Sequence, residues 1–160
     1  MEVDSDGGDR HGNLGFRTRT CRVRIIHDGS RGFLKGAMPI IRIEALAEPS
    51  LDIPGLLDRV SEAAAGSFGL PKKHCWVIFT RIPGGCYLEG GRIRFDEDAQ
   101  SVSPVVTVVA AEGPSREKKA AVLGAVARAA GTGLGVDPDG VLVQYVEIPP
   151  GHAFSGGQVR

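Results

Sequence analysis

The residue with the most distinctive chemistry is Pro39, second in the run Met38-Pro39-Ile40-Ile41-Arg42-Ile43-Glu44. Inside a chain a proline nitrogen is a tertiary amide, without a proton and almost without basicity. At a chain terminus it is a secondary amine that can take and return a proton. An α-amino group titrates near about 7.7–8.0, and partial burial or nearby cations lower that value. Such an amine suits general acid/base chemistry near neutral pH. A methionine followed by a small residue such as proline is a good context for methionine removal. Met38 is therefore a candidate initiator whose loss exposes Pro39. Pro104 opens a similar run, Ser103-Pro104-Val105-Val106-Thr107-Val108-Val109, but is internal under any start. Only Pro39 can become a free amine.

Other chemistry is thin. His11, His27, His74 and His152 are scattered without HxH or HExxH spacing, so no metal site is expected. Cys21, Cys75 and Cys86 are an odd number without metal-type spacing and read as reduced thiols of a cytoplasmic protein. Gly131-Thr132-Gly133-Leu134-Gly135 lacks GxGxxG spacing and follows a helical pattern rather than preceding one. It reads as a helix end, and no cofactor is expected.

The elements that must position Pro39 repeat along the chain. Pro39, Ile41 and Ile43 share one face of a first strand; Ile40, Arg42 and Glu44 share the other. Proline is tolerated as the first residue of a strand, where its missing N–H breaks no ladder. Asp52 is a candidate N-cap, and Ile53, Leu56, Leu57, Val60 and Ala64 form a helical stripe ended by Gly66 and Gly69. Cys75 to Thr80 is a second strand, followed by a turn and Gly90-Gly91. Arg92 to Val102 reads as a polar joint. The second half repeats this order: a strand from Val105, Ser115 as N-cap, a stripe of Ala121, Val122, Ala125, Val126 and Ala129, a strand from Val141 to Val146, and Gly156-Gly157. Pro39 and Pro104 are 65 positions apart; the two Gly-Gly pairs are 66 apart.

The repeat predicts an α+β fold of tandem β-α-β units (39–91 and 103–157), forming a four-stranded sheet with two helices on one face. Each crossover should be right-handed with parallel strands. One apolar face per half makes a thin core, so packing of sheet faces between subunits is expected.

Residues 1–37 read differently. Met1 to Gly15 is polar and rich in Gly and Asp, as in disordered segments. Phe16 to Ile26 alternates basic residues with others. The start resembles neither a secretory signal nor a transit peptide. The expected organisation is an extension over 1–37 and one domain over 38–160. Of 160 residues, 42% are hydrophobic and 24% charged, and 19 basic residues balance 19 acidic ones. That balance gives no bulk attraction to nucleic acid or membrane. No apolar run approaches the roughly 20 residues a membrane helix needs.

Met38-Pro39-Ile40-Ile41, the strand-helix-strand unit and the glycine-rich hairpin resemble the tautomerase superfamily, whose type member is 4-oxalocrotonate tautomerase. The duplicated stretch Pro39–Arg160 is similar to its fused members, which include the malonate semialdehyde decarboxylases and the cis-3-chloroacrylic acid dehalogenases. Glu112-Gly113-Pro114-Ser115 resembles the family's Glu-Gly-Arg-Ser run ahead of its helix. The resemblance implies a homotrimer in which Pro39 is the general base and then acid. The expected reaction is keto–enol tautomerisation or double-bond migration in a small 2-oxo acid. Relatives use the same proline for decarboxylation or for activating water.

The family's carboxylate-binding arginines are replaced. Pro49 and Pro114 stand at one position, Trp76 and Leu142 at the other. Arg116, at a helix N-terminus where anions are favoured, is a substitute. Arg81, Arg92 and Arg94 near the first hairpin are others. Arg42 is excluded because it points away from Pro39. Tyr87 matches the family's pocket-wall aromatic, and Phe154 lies one place from the matching position. Tyr145 is either a hydrogen-bond donor to substrate or water, or a packing residue. The alternative to catalysis is a tautomerase-fold protein whose Pro39 nitrogen is blocked by the extension.

Overall fold

The computed structural model describes residues 38–160. The extension and Arg-rich stretch expected over 1–37 lie outside the described residues. β1 (Ile40–Ala45) leads to α1 (Ile53–Phe68) and β2 (Trp76–Arg81), then to the hairpin of β3 (Tyr87–Glu89) and β4 (Arg92–Arg94). The same order follows with β5 (Val105–Ala111), α2 (Arg116–Leu134), β6 (Leu142–Ile148), and the hairpin of β7 (Phe154–Ser155) and β8 (Gln158–Val159).

The main sheet has the order β2-β1-β5-β6. β1 runs parallel to β2, β5 parallel to β6, and β1 antiparallel to β5. Along the central seam Ile40 faces Val109, Arg42 faces Thr107 and Glu44 faces Val105. The two repeats are thus related by a local two-fold axis through the Arg42–Thr107 pair. This axis decides where the functional residues fall.

Period-2 alternation separates the faces of the sheet. Ile41, Ile43, Val106 and Val108 are fully buried beneath the helices. From α1, Leu56, Val60 and Ala64 meet them; from α2, Val122, Val126 and Ala130. Among the described residues, the core cluster is drawn from positions between Ile41 and Val141, with partly buried residues such as Tyr145 around it. The opposite face is open. Trp76, Ile78, Leu142 and Val146 are exposed on the outer strands, around a polar centre where Gln144 Nε2 donates to Thr107 Oγ1 at 2.8 Å.

Both helix starts are capped as their sequences predict. Asp52 Oδ1 accepts the Gly55 N–H at 3.0 Å, and Ser115 Oγ accepts the Lys118 N–H at 3.2 Å. Four sequence expectations shift. α1 continues through Gly66 to Phe68, and Gly69 caps it in the left-handed conformation. α2 continues through Gly131–Leu134 and is capped by Gly135. Gly131 is there for close approach, since a Cβ on it would lie 2.9 Å from Pro138 Cα. Ala121 is exposed, and Ala130 takes its place in the buried stripe. The expected joint also begins as structure: Arg92–Arg94 is β4, paired with β3 across Gly90-Gly91. Those two glycines have φ of 60° and 76°, the left-handed pair of a tight hairpin turn.

Candidate active site

Pro39 stands immediately before β1, on the helix-facing side of the sheet, and is among the fully buried side chains. Its carbonyl accepts the Trp76 N–H at 3.0 Å, joining β1 to β2. Pro104 repeats this, with its carbonyl accepting the Leu142 N–H at 3.0 Å. Neither proline owes the sheet an N–H at its position. Strand opening therefore accounts for both prolines, and proton chemistry distinguishes only Pro39.

Because β1 and β5 are antiparallel, the start of β1 lies beside the end of β5. One step beyond the Ile40–Val109 pair, Pro39 comes level with Ala110, which pairs with Glu147 on β6. The loop from β5 into α2 leaves the sheet at this same edge, where the Glu112 N–H donates to the Ile148 carbonyl at 3.1 Å. Arg116, the first residue of α2, is exposed here and pairs with no described carboxylate. Phe154, in the hairpin that follows β6, is also at this edge and is 73% exposed.

The other named residues lie at the opposite edge. Arg81 pairs with Ala45 at the far end of β1. At about 3.3 Å per residue, that is roughly 20 Å from Pro39. Its guanidinium donates to the Ala47 carbonyl. Tyr87 donates its hydroxyl to the Ser103 carbonyl at 2.8 Å, next to Pro104. Desolvation raises the Tyr87 phenol above its ordinary value; the Glu89 charge adds to this and Arg94 offsets part of it. Arg94 lies 3.7 Å from Glu89 and 3.8 Å from Asp98. Within one protomer the structure thus brings Pro39, Arg116 and Phe154 to one edge, and Arg81, Tyr87 and Arg94 to the other. The two-fold axis explains the split: each hairpin follows the end of its own unit, beside the start of its own helix, and meets the other unit's opening proline only across the seam.

One group went unweighted in the sequence. Lys119 Nζ pairs with Glu147 Oε1 at 2.8 Å, beside Pro39's edge of the sheet. That hydrogen bond, the largest cause, holds the Glu147 carboxyl below the usual range, against a smaller opposing effect of desolvation. The i, i+3 spacing of Arg116 and Lys119 on α2 was the available signal, since it places both on neighbouring turns of one helix side.

No family model matches the chain. A probable tautomerase of Bradyrhizobium diazoefficiens is 40% identical over 55 residues, covering 34% of this chain and 82% of the relative. That length is close to one β-α-β unit with its hairpin. A solved wild-type fused 4-OT, an asymmetric trimer, superposes with a TM-score of 0.67 at 16% identity, over 75% of this chain and 94% of that one. A native fused 4-OT gives a TM-score of 0.66 at 23% identity, over the same shares. With its two units in one chain and this degree of relation to a tautomerase, the chain belongs to the tautomerase superfamily, in the fused form.

Proposed function

We propose that the chain is an isomerase of the tautomerase type, acting on a small 2-oxo acid with Pro39 as its amino-terminal general base and then acid. The observation that carries this reading is the position of Pro39. It heads β1 on the helix-facing side, at the edge where Arg116 starts α2 and where the sheet ends. Removal of residues 1–38 turns its nitrogen from an amide into an amine. The base would take a proton from the carbon next to the 2-oxo group, and the resulting ammonium would return it to another position.

Arg116 is the cation we assign to the substrate carboxylate, helped by the amide groups at the start of α2. Phe154 would cover the site. Arg81, Tyr87 and Arg94 could act only on a Pro39 from a second copy. A homotrimer is part of the reading, supported by the exposed apolar side chains on the open sheet face and by the trimeric fused 4-OT. No helix among the described residues is long and apolar enough to cross a membrane, and we place the protein in the cytoplasm.

A second reading has one observation behind it. While Met38 is attached, Pro39 is a buried amide, and the fold would be a scaffold without catalysis. Intact mass of the protein from its native source, with turnover of phenylenolpyruvate or 2-hydroxymuconate, separates the two. The enzyme reading expects a chain beginning at Pro39, active, and inactivated by Pro39→Ala. A chain that keeps residues 1–38, or equal rates with Pro39→Ala, removes Pro39 from the mechanism.

A further inference from the structure

The hydroxyl of Tyr145 is shielded from water and has no hydrogen-bond partner among the described residues. A buried, unsatisfied hydroxyl costs about 1–3 kcal/mol, and such groups are few in native structures. Phenylalanine would fill the same space without that cost. The hydroxyl therefore needs an explanation, and its place in the sheet supplies one.

Tyr145 pairs with Val108 on β5, and Val108 pairs with Ile41 on β1. All three project to the helix side, the side of Pro39, which precedes Ile41 by two residues. The ring does not stay over β6. Its centroid is 6.4 Å from that of Phe68, the last residue of α1. α1 ends at the edge where Pro39 begins β1, because it must return the chain to the start of β2. The Tyr145 ring therefore reaches inward toward the first unit, with Lys119 Nζ 5.7 Å from its centroid. Phe68 ends α1 and Lys119 lies in the first turn of α2, both on the side of the sheet edge that Pro39 opens, and the Tyr145 ring extends from β6 toward that edge.

We propose that Tyr145 is a catalytic hydrogen-bond donor to the 2-oxo oxygen of the substrate at the Pro39 site. The inference rests on the Pro39 reading above. The C–H bond next to the 2-oxo group breaks and its proton goes to the Pro39 nitrogen. The bonding pair forms a C=C bond, and the carbonyl π pair moves to oxygen, giving an enolate. Tyr145 keeps its proton and donates a hydrogen bond to that oxygen. Pro39 then returns the proton to another position of the enolate, its oxygen or a conjugated carbon, so the step isomerises the substrate and is redox-neutral. Burial, with the Glu147 charge adding to it, raises the Tyr145 phenol above its ordinary value. It stays protonated, and so a donor, across the working range.

The test uses the chain beginning at Pro39, which carries every described strand and both described helices, and its Tyr145→Phe and Pro39→Ala variants. Turnover of phenylenolpyruvate, affinity for oxalate (a dianion resembling a 2-oxo acid enolate) by calorimetry, and thermal melting are measured together. Tyr145→Phe should lower kcat about 100-fold with KM little changed, as loss of one oxyanion donor does. It should weaken oxalate at least tenfold and leave the melting temperature unchanged or raised. Unchanged kcat, equal oxalate affinity, no oxalate binding by the parent chain, or a melting temperature lowered with activity would each overturn the proposal, the last by showing a packing role. Failure of the Pro39 reading looks different: Pro39→Ala would keep full turnover while the oxalate difference at Tyr145 remained.

Discussion

Two helical glycines should respond in opposite directions to the same substitution. Gly66 lies in the last turn of α1, and a Cβ there meets nothing within 4 Å. Gly66→Ala gains helix propensity alone, about 0.5 kcal/mol near a helix end. Gly131 is buried in α2, and a Cβ there would sit 2.9 Å from Pro138 Cα, 3.0 Å from Pro138 N and 3.0 Å from the Val136 carbonyl oxygen. All three neighbours are backbone, so no rotamer change relieves them. Overpacking of this kind costs about 1–3 kcal/mol, against a propensity gain of about 1 kcal/mol. The net expectation is a loss of roughly 1 kcal/mol for Gly131→Ala. Urea unfolding of the two variants and the parent, with m values compared, measures both. The variants should differ by about 1.5 kcal/mol. Gly131→Ala as stable as Gly66→Ala would refute the close packing of α2 against the turn that follows it.

The remaining predictions concern the core and the site. Leu56→Ala should destabilise by about 2–5 kcal/mol, since the side chain is 1% exposed between the helices and the sheet; thermal or urea unfolding reads it. Tyr87→Phe should cost about 1 kcal/mol by leaving the Ser103 carbonyl without its donor, with little effect on kcat if Tyr87 holds the hairpin alone. Glu147→Gln should matter only above the carboxyl's titration. The folded carboxyl is held below its unfolded value of about 4.3. The parent's advantage over Glu147→Gln is therefore present above that pH and lost as pH falls through the folded value. Stability measured from pH 7 to pH 2.5 should show the two proteins converging at the acid end. Arg116→Ala should lower kcat/KM at least tenfold in the Pro39-start chain, as expected for loss of a charged hydrogen bond worth about 1.5–3 kcal/mol, whereas Arg116→Lys should recover part of it.

Much of the fold was readable because its signals are local or periodic. Asp52 and Ser115 cap the helices they precede, Pro39 and Pro104 open strands, and the 65-residue spacing announced two like units. Gly135 caps α2 as the helix-end reading of Gly131–Gly135 expected, but Gly131 and Gly133 lie within the helix; propensity argues against glycine there, whereas the Pro138 backbone packed against Gly131 leaves no room for a Cβ. The site was readable only in part. Tyr87 was a candidate by family pattern and Arg81 and Arg94 by nearness to the first hairpin, but the parallel pairing of β1 with β2 puts all three at the edge opposite Pro39 in the same chain. Which residues of the second unit come to Pro39's edge depends on the antiparallel β1–β5 pairing between the two halves, and neither half encodes that pairing by itself. The Tyr145 hydroxyl was equally hidden, since lack of a partner is a property of packing rather than of sequence.

The most direct measurement compares the chain beginning at Pro39 with one that retains Met38, the terminus of each established by intact mass, using the rate of phenylenolpyruvate ketonisation. The two differ by one residue, and the sheet and its core are common to both. If Pro39 is the base, the Pro39-start chain turns over substrate and the Met38 chain is slower by at least 100-fold, the scale of general base catalysis. Equal rates in the two chains would contradict the assignment, because an amide nitrogen cannot take the proton.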